Sequence, residues 1–497
     1  MTARVHRFLA DQVARRPDAL AMTDGTGAAW TWQDLETAAV AAADCLSQRG
    51  CRAGDRIVIL CENCTAAVAF LFGCWQIGAI AVPVNARQST SEVARILDHA
   101  TPAVVVLTTD VSPEADAHAK RLEATPCAAV FGTVHIAMRP ASPAEDDARI
   151  AVLLYTTGTT GAPKGVMLSH ENLAFGGMAS ANLRGMTAED VIYGVLPITH
   201  VFGLASIVTA AVYTGARIRF EARFSAEKLY TALRNGVTLL SAVPQMHALL
   251  MQYTAEQGYD QLGSDNLRYV SSGAAPLDPA WKRKAEAFYG VPLQNGYGMT
   301  ETTAGVSITN NPLGSADISV GPPLPGVEVR IDETVPGGGE GMGEVLTRGA
   351  HVMLGYFRNP AETAQVLDAE GWMHTGDLGK FDAAGHLHIL GRSKELIIHG
   401  GFNVYPPEVE AAINDHPQVI QSAVIGRMTS GDEEVLAFVQ VAMGCDLTND
   451  ALRDFLKDRL AGYKRPSRIV LAAQLPAAPT GKILKHKLLD SFADQLT

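Results

Sequence analysis

Ile150–His170 reads IAVLLYTTGTTGAPKGVMLSH. The aliphatic run Ile150–Tyr155 has the pattern of a strand buried on both faces, and a helix is predicted from about Ser169. Between them lie Thr156, Thr157, Gly158, Thr159, Thr160 and Lys164. Such a loop can turn amides and hydroxyls toward a polyphosphate while Lys164 supplies a positive charge. The spacing is not that of a Walker A loop: Gly158 is not followed at the required distance by Gly-Lys-Ser/Thr, and Lys164 is followed by Gly165.

Outward from this segment, short Val/Ile/Leu-rich runs alternate with helical patterns. Arg56–Leu60, Ala79–Val84, Ala103–Leu107, Val191–Leu196, Arg217–Phe220 and Leu239–Val243 read as strands. This is the α/β pattern, with mostly parallel strands covered on both sides. From about Ser315 the texture changes to short strands separated by Gly and Pro, which predicts a β-rich subdomain. After Gly391 comes a compact α+β unit. Its predicted helices are Pro407–Asp415, Asn449–Ala461 and Lys482–Gln495, and its strands Ser422–Ile425, Val435–Val441 and Arg468–Leu471. The expected division is therefore a large domain over 1–391, a pivot at 392–395 and a small mobile domain over 396–497.

A chain of 497 residues exceeds what one core supports, so at least two compact units are required. Apolar residues make up 47% and charged residues 19%, within the globular range. A net charge of −12 argues against nucleic acid as a partner, which would call for a basic face. The seven cysteines show no regular spacing, and Cys61-x-x-Cys64 has no second pair to complete a zinc site; buried structural thiols are expected. The first twenty residues form a charged amphipathic pattern without the apolar core of a signal peptide. Ala66–Val84, broken by Gln76, Gly78 and Pro83, reads as a buried helix running into a strand rather than a membrane span. A cytoplasmic location is expected.

Six further segments follow in order: Ile198–Leu204 (ITHVFGL), Ser271–Leu277 (SSGAAPL), Asn295–Glu301 (NGYGMTE), Thr375-Gly376-Asp377, Gly391–Glu410 (GRSKELIIHGGFNVYPPEVE) and Pro479–Leu484 (PTGKIL). Together with the threonine-glycine loop they resemble the signature motifs of the adenylate-forming superfamily, in its AMP-forming acyl- and aryl-CoA synthetase branch. The likeness covers nearly the whole chain. It implies ATP, Mg2+ and coenzyme A as cofactors and two half-reactions: a carboxylate attacks the α-phosphate of ATP and expels pyrophosphate, then a thiol attacks the acyl-adenylate and expels AMP. The enzyme's task is to hold two mutually repelling anions together.

The resemblance also distributes roles. Lys482 would bridge the attacking carboxylate and the α-phosphate, where a lone lysine near a chain end is ordinarily a solvated charge. Thr300 would reach the α-phosphate, and Glu301 would hold the metal. Tyr297 would stack on adenine, with Gly273, Ala274 and Ala275 lying flat against the base and Asn295 addressing its amino edge. Asp377 and Arg392 would hold the ribose, although Asp after Gly is in isolation a turn former. Lys394 would be the pivot and Gly400-Gly401 the lining of the pantetheine channel, where the absence of side chains allows close approach.

For the acid, Asp is missing from the ITHVFGL region, so an α-amino acid is disfavoured. Gly296 stands where malonate-type ligases carry arginine. His200, which is also placed among the catalytic groups, Phe202, Val243, Gly273, Gly296, Met299 and Val306 then describe an apolar slot for a fatty or aromatic monocarboxylate. No carrier-protein module follows the small domain, which points to free coenzyme A. A stand-alone adenylation protein that loads a carrier arm, a luciferase-like oxidase and a non-catalytic nucleotide sensor share some or all of these motifs and remain as alternatives. Monomer and homodimer are both compatible with the sequence.

Overall fold

In the computed structural model, residues 4–140, 143–157, 163–273, 277–336, 338–400, 402–429, 432–477 and 483–496 are described. Gly158, Thr159, Thr160, Ala274, Ala275, Gly401 and Lys482 lie outside them, as does the side chain of Thr157.

Two eight-stranded sheets carry the larger part of the chain. One runs from edge to edge through Ser307–Ile308, Leu293–Tyr297, Tyr269–Gly273, Leu239–Ala242, Val191–Gly194, Arg217–Phe220, Leu20–Thr23 and Ala29–Thr31. Its interior pairs are parallel and both edges antiparallel. The second contains Ile80–Asn85, Arg56–Cys61 and Val104–Leu107 as a parallel centre. Along Arg56–Cys61 the burial alternates between two cores. Ile57 and Ile59 join the large core shared with the first sheet and the helices Trp32–Gln48 and Thr65–Gln76, while Val58 and Leu60 pack with Ile96 and Leu97 of the helix Thr90–Ala100. A strand covered on both faces needs an unbroken apolar run, and RIVILC supplies it. Helix starts are set locally: Thr31 with Asp34 and Ser89 with Glu92 both form capping boxes.

The threonine-glycine segment departs from its predicted form. Pro163–Ser169 is a strand that folds back antiparallel on Ile150–Thr157, with Leu154 opposite Val166 and Val152 opposite Leu168. Val166 and Leu168 are fully buried, so the period-two alternation in GVMLS marks a strand where a loop running straight to a helix was expected. The helix begins after it, at His170, with Ser169 accepting from the Asn172 amide and Asn172 Oδ1 accepting from the Ser169 amide at 2.8 Å.

The β-rich region is a four-stranded antiparallel sheet, Val327–Asp332, Met342–Gly349, Met373–Phe381 and Leu387–Arg392. Beyond it stand a two-stranded hairpin, Ile397–His399 with Phe402–Val404, and a three-stranded sheet, Val419–Met428, Glu433–Val441 and Arg468–Ala472, with two apolar cores of their own. Two predicted helices are shorter than expected. Asn449–Leu456 stops early, and the Arg465 side chain donates to the carbonyls of Lys457 and Leu460 just beyond. The predicted helix Lys482–Gln495 is instead two single 3-10 turns flanking the short helix Leu488–Ser491. Ile483 pairs with Ala477 instead, and the Leu484 amide donates to the Pro476 carbonyl at 2.8 Å.

Candidate active site

The strands Tyr269–Gly273 and Leu293–Tyr297 run parallel and end together, with Ser272 beside Asn295 and Gly273 beside Gly296. Alternation along the strands sorts these ends into two faces. On one face stand Ser272, Asn295 and Tyr297, with Ser307 opposite Tyr297 on the edge strand. Asn295 is buried; its amide group donates to the Ser319 carbonyl at 3.1 Å. Its Oδ1, and the hydroxyls of Ser272 and Ser307, are buried without a hydrogen-bond partner among the described residues. Each such group costs about 1–3 kcal/mol, so three on one face fit a polar planar ligand that would satisfy them.

Tyr297 also reaches the β-rich sheet. Its hydroxyl donates to Asp377 Oδ2 at 2.6 Å, and Arg392 Nε lies 3.3 Å from Asp377 Oδ1. Asp377 and Arg392 are register partners on adjacent strands, which fixes this pairing through the backbone. Burial, then the charge of Asp377, pushes the Tyr297 phenol well above its ordinary value, so it remains a donor.

A second group forms around Lys164. Its ammonium pairs with Glu362 and lies 5.4 Å from the centre of the Tyr356 ring. The Tyr356 hydroxyl donates to Glu301 Oε1 at 2.9 Å, so the threonine-glycine hairpin and the Thr300-Glu301 turn are joined through one phenol. Thr300 and Glu301 are both buried. Sequence reasoning missed Tyr356 and Glu362. Tyr356 is brought in by antiparallel pairing of Gly355–Tyr356 with Met167 and Val166, and Glu362 by the helix Pro360–Val366 capped by Asn359; the Asn-Pro-Ala-Glu start was the available signal.

The other face of the strand ends is made of small residues. A Cβ on Gly273 would lie 3.0 Å from the Phe202 ring, and one on Gly296 would lie 3.3 Å from Ile308. Phe202 belongs to the short helix Val201–Gly203, whose start is capped by His200, Nδ1 accepting from the Phe202 amide at 3.3 Å. His200, Phe202, Val243, Gly273, Gly296 and Met299 line one cavity with Asn295, Tyr297, Thr300, Glu301, Lys164, Asp377, Arg392 and Lys394. Val306 is the exception. It is fully buried with Leu324 and Val327, and its neighbours Ala304, Gly305, Ser307 and Ile308 face the cavity in its place.

The cavity measures about 2750 Å3 and reaches between the large and small units. Burial, with the charges of Arg392 and Lys164, lowers the Lys394 ammonium below its ordinary value. Ala477, Ile483 and Leu484 also line it. Gly400 does not. Its hairpin projects elsewhere, with Ile398 and Phe402 exposed, and its amide donates to Asp432 Oδ1 at 3.0 Å. Cys61 and Cys64 are fully buried thiols, and among the described residues no group of three metal-ligating side chains occurs. No helix is long and apolar enough to cross a membrane among the described residues.

Comparison with known proteins identifies the family. The profile of the AMP-binding enzyme family matches residues 9–357, and that of the AMP-binding enzyme C-terminal domain matches residues 408–482. 4-Coumarate-CoA ligase 2 of Narcissus pseudonarcissus is 30% identical over 97% of this chain and 91% of its own length. Sulfoacetate–CoA ligase of Cupriavidus necator is 31% identical over 97% of each. Among solved structures, ATP-bound MatB from Rhodopseudomonas palustris superimposes with a TM-score of 0.85 at 30% identity over the full length of both chains; apo MatB gives 0.73.

Proposed function

Since the chain belongs to the AMP-binding enzyme family and is an AMP-forming acid–thiol ligase, we propose that it activates a fatty or aromatic monocarboxylic acid with ATP and passes the acyl group to coenzyme A. The supporting observation is one cavity with two unlike walls meeting at the paired strand ends. The polar wall of Ser272, Asn295, Tyr297 and Asp377 receives the nucleotide, and the wall of Gly273, Gly296 and Phe202 receives the acyl group.

Asn295 Oδ1 takes the adenine amino group, since it is a buried acceptor in search of a donor. The ring of Tyr297 lies against the base, its hydroxyl spent on Asp377, whose carboxylate with Arg392 meets the ribose hydroxyls. Lys164 and the threonine-glycine loop hold the outer phosphates, with the Lys164–Glu362 pair exchanged for a triphosphate of higher charge. Glu301 fits a magnesium ion, which takes one or two carboxylates and otherwise phosphate and water; when bound, the metal neutralises the pyrophosphate leaving group. Thr300 adds a hydroxyl at the α-phosphate. Lys482 faces the same phosphorus from the small unit, and 392–395 is the pivot on which that unit turns between half-reactions, with Lys394 at its centre. The rotation withdraws Lys482 and carries Gly400-Gly401 toward the thiol. The likeness to ATP-bound MatB supports assigning the present arrangement to the adenylation stage.

The two relatives' names, one an aromatic and one a small sulfonated acid, make the acyl wall the better guide to substrate, and the wall of Gly273, Gly296 and Phe202 carries no charge. A pyrophosphate-release screen of aliphatic and aromatic acids, with and without coenzyme A, tests the reading. Release with acyl-CoA formation is expected; release without acyl-CoA indicates a carrier-loading protein, and no release across the panel removes the ligase assignment. Lys482→Ala should abolish most adenylation and leave thioester formation from supplied acyl-adenylate intact; equal loss of both half-reactions refutes its role.

A further inference from the structure

Lys485 stands three residues beyond Lys482, half-buried between two carboxylates. Its Nζ lies 2.8 Å from Glu410 Oε1 and 3.2 Å from Glu395 Oε2. Burial alone would lower its pKa, but Glu410 and Glu395 outweigh burial and raise it, so the ammonium is held charged. Just before it, Ile483 bridges to Ala477 and the Leu484 amide donates to the Pro476 carbonyl, so the chain entering Lys485 is anchored.

The partners belong to distinct parts of the fold. Glu410 is on the helix Pro406–Asn414, and its Oε1 also accepts from the Val424 amide at 2.7 Å, which fixes the carboxylate. Glu395 directly follows Lys394 in the turn Ser393–Glu395, immediately after the strand whose last residue, Arg392, holds Asp377. Lys485 thus connects the turn Lys485–Lys487 to the turn where the two units join.

We propose that Lys485 is a positioning residue for the adenylation half-reaction, tying the chain three residues after Lys482 to Glu395 beside the pivot. The inference rests on the role given to Lys482 above. An isolated exposed ion pair contributes little, but this one has two partners and is half-buried.

The test uses the full chain as wild type, Lys485→Met, Lys485→Arg and Glu395→Gln, with whichever acid the screen identifies. ATP–pyrophosphate exchange reports adenylation, and thioester formation from the synthetic adenylate of that acid reports the second step. Lys485→Met and Glu395→Gln should lower exchange by roughly 10- to 100-fold, the scale of an ångström-sized misplacement, with the second step unchanged. Lys485→Arg should restore most of the exchange. Unchanged exchange in both Lys485→Met and Glu395→Gln overturns the proposal, and so does equal damage to both steps, which a general loss of small-domain structure would produce. A wild-type chain active in both steps isolates that failure to Lys485, whereas a wild-type chain active in neither overturns the ligase reading and this inference with it.

Discussion

Asp377 shows how much one side chain organises. It accepts from Tyr297, pairs with Arg392 and is itself buried, so one carboxylate orients both the aromatic platform and the cation beside it. Asp377→Asn keeps the shape and loses the charge. Hydrogen bonds to a charged group contribute about 2 kcal/mol, so the Michaelis constant for ATP should rise roughly thirtyfold while that for the acid stays put; steady-state kinetics with each substrate varied would check this. The motif Thr-Gly-Asp was legible in the sequence, but the Tyr297 contact was not, because the two residues are 80 positions apart and meet only through the packing of two sheets.

Among the elements, the turn Pro197–Gly203 shapes the cavity wall beside Gly273. It presents His200 and Phe202, and a Cβ on Gly203 would lie 2.2 Å from the Pro197 carbonyl oxygen. Gly203→Ala should therefore force the turn open at about 1–3 kcal/mol, the usual scale of overpacking. A fall in apparent Tm together with a raised Michaelis constant for the acid is the expected result, and a variant with wild-type Tm and kinetics would contradict it. The hairpin at Lys164 teaches a related lesson. Its Thr, Gly and Lys residues stood out in the sequence, whereas its form did not, because Val166 and Leu168 alternate like a strand over too few residues to stand out before Ser169 starts the helix.

Across the whole molecule, Asp278 of the large unit and Asp415 of the small unit line the cavity that reaches between the two. Burial, then the nearby Asp415 carboxylate, raises Asp278 from 3.8 to about 6. A carboxyl with a higher pKa in the docked arrangement binds its proton more tightly there, so protons favour docking. The advantage is complete near the ordinary carboxylate value and is lost as pH rises through about 6. Small-angle scattering should show the units separating more readily at pH about 7.5 than at pH about 5, and Asp278→Asn, which still caps the helix Pro279–Tyr289, should flatten that dependence. A wild-type profile without pH dependence would remove this contact as a determinant of docking.

The sequence by itself determined the α/β class, the order of the motifs and the residue types gathered at the paired strand ends, because these depend on local periodicity and on side-chain chemistry. Buried strands such as Arg56–Cys61 need apolar residues on both faces, and that requirement is written in consecutive positions. Only the tertiary structure decided that Tyr356 would link Lys164 to Glu301, that Val306 would turn into the core while its neighbours face the cavity, and that Lys485 would meet both Glu395 and Glu410. Such contacts depend on strand register and on the meeting of distant segments, and neither leaves a short-range pattern in the chain.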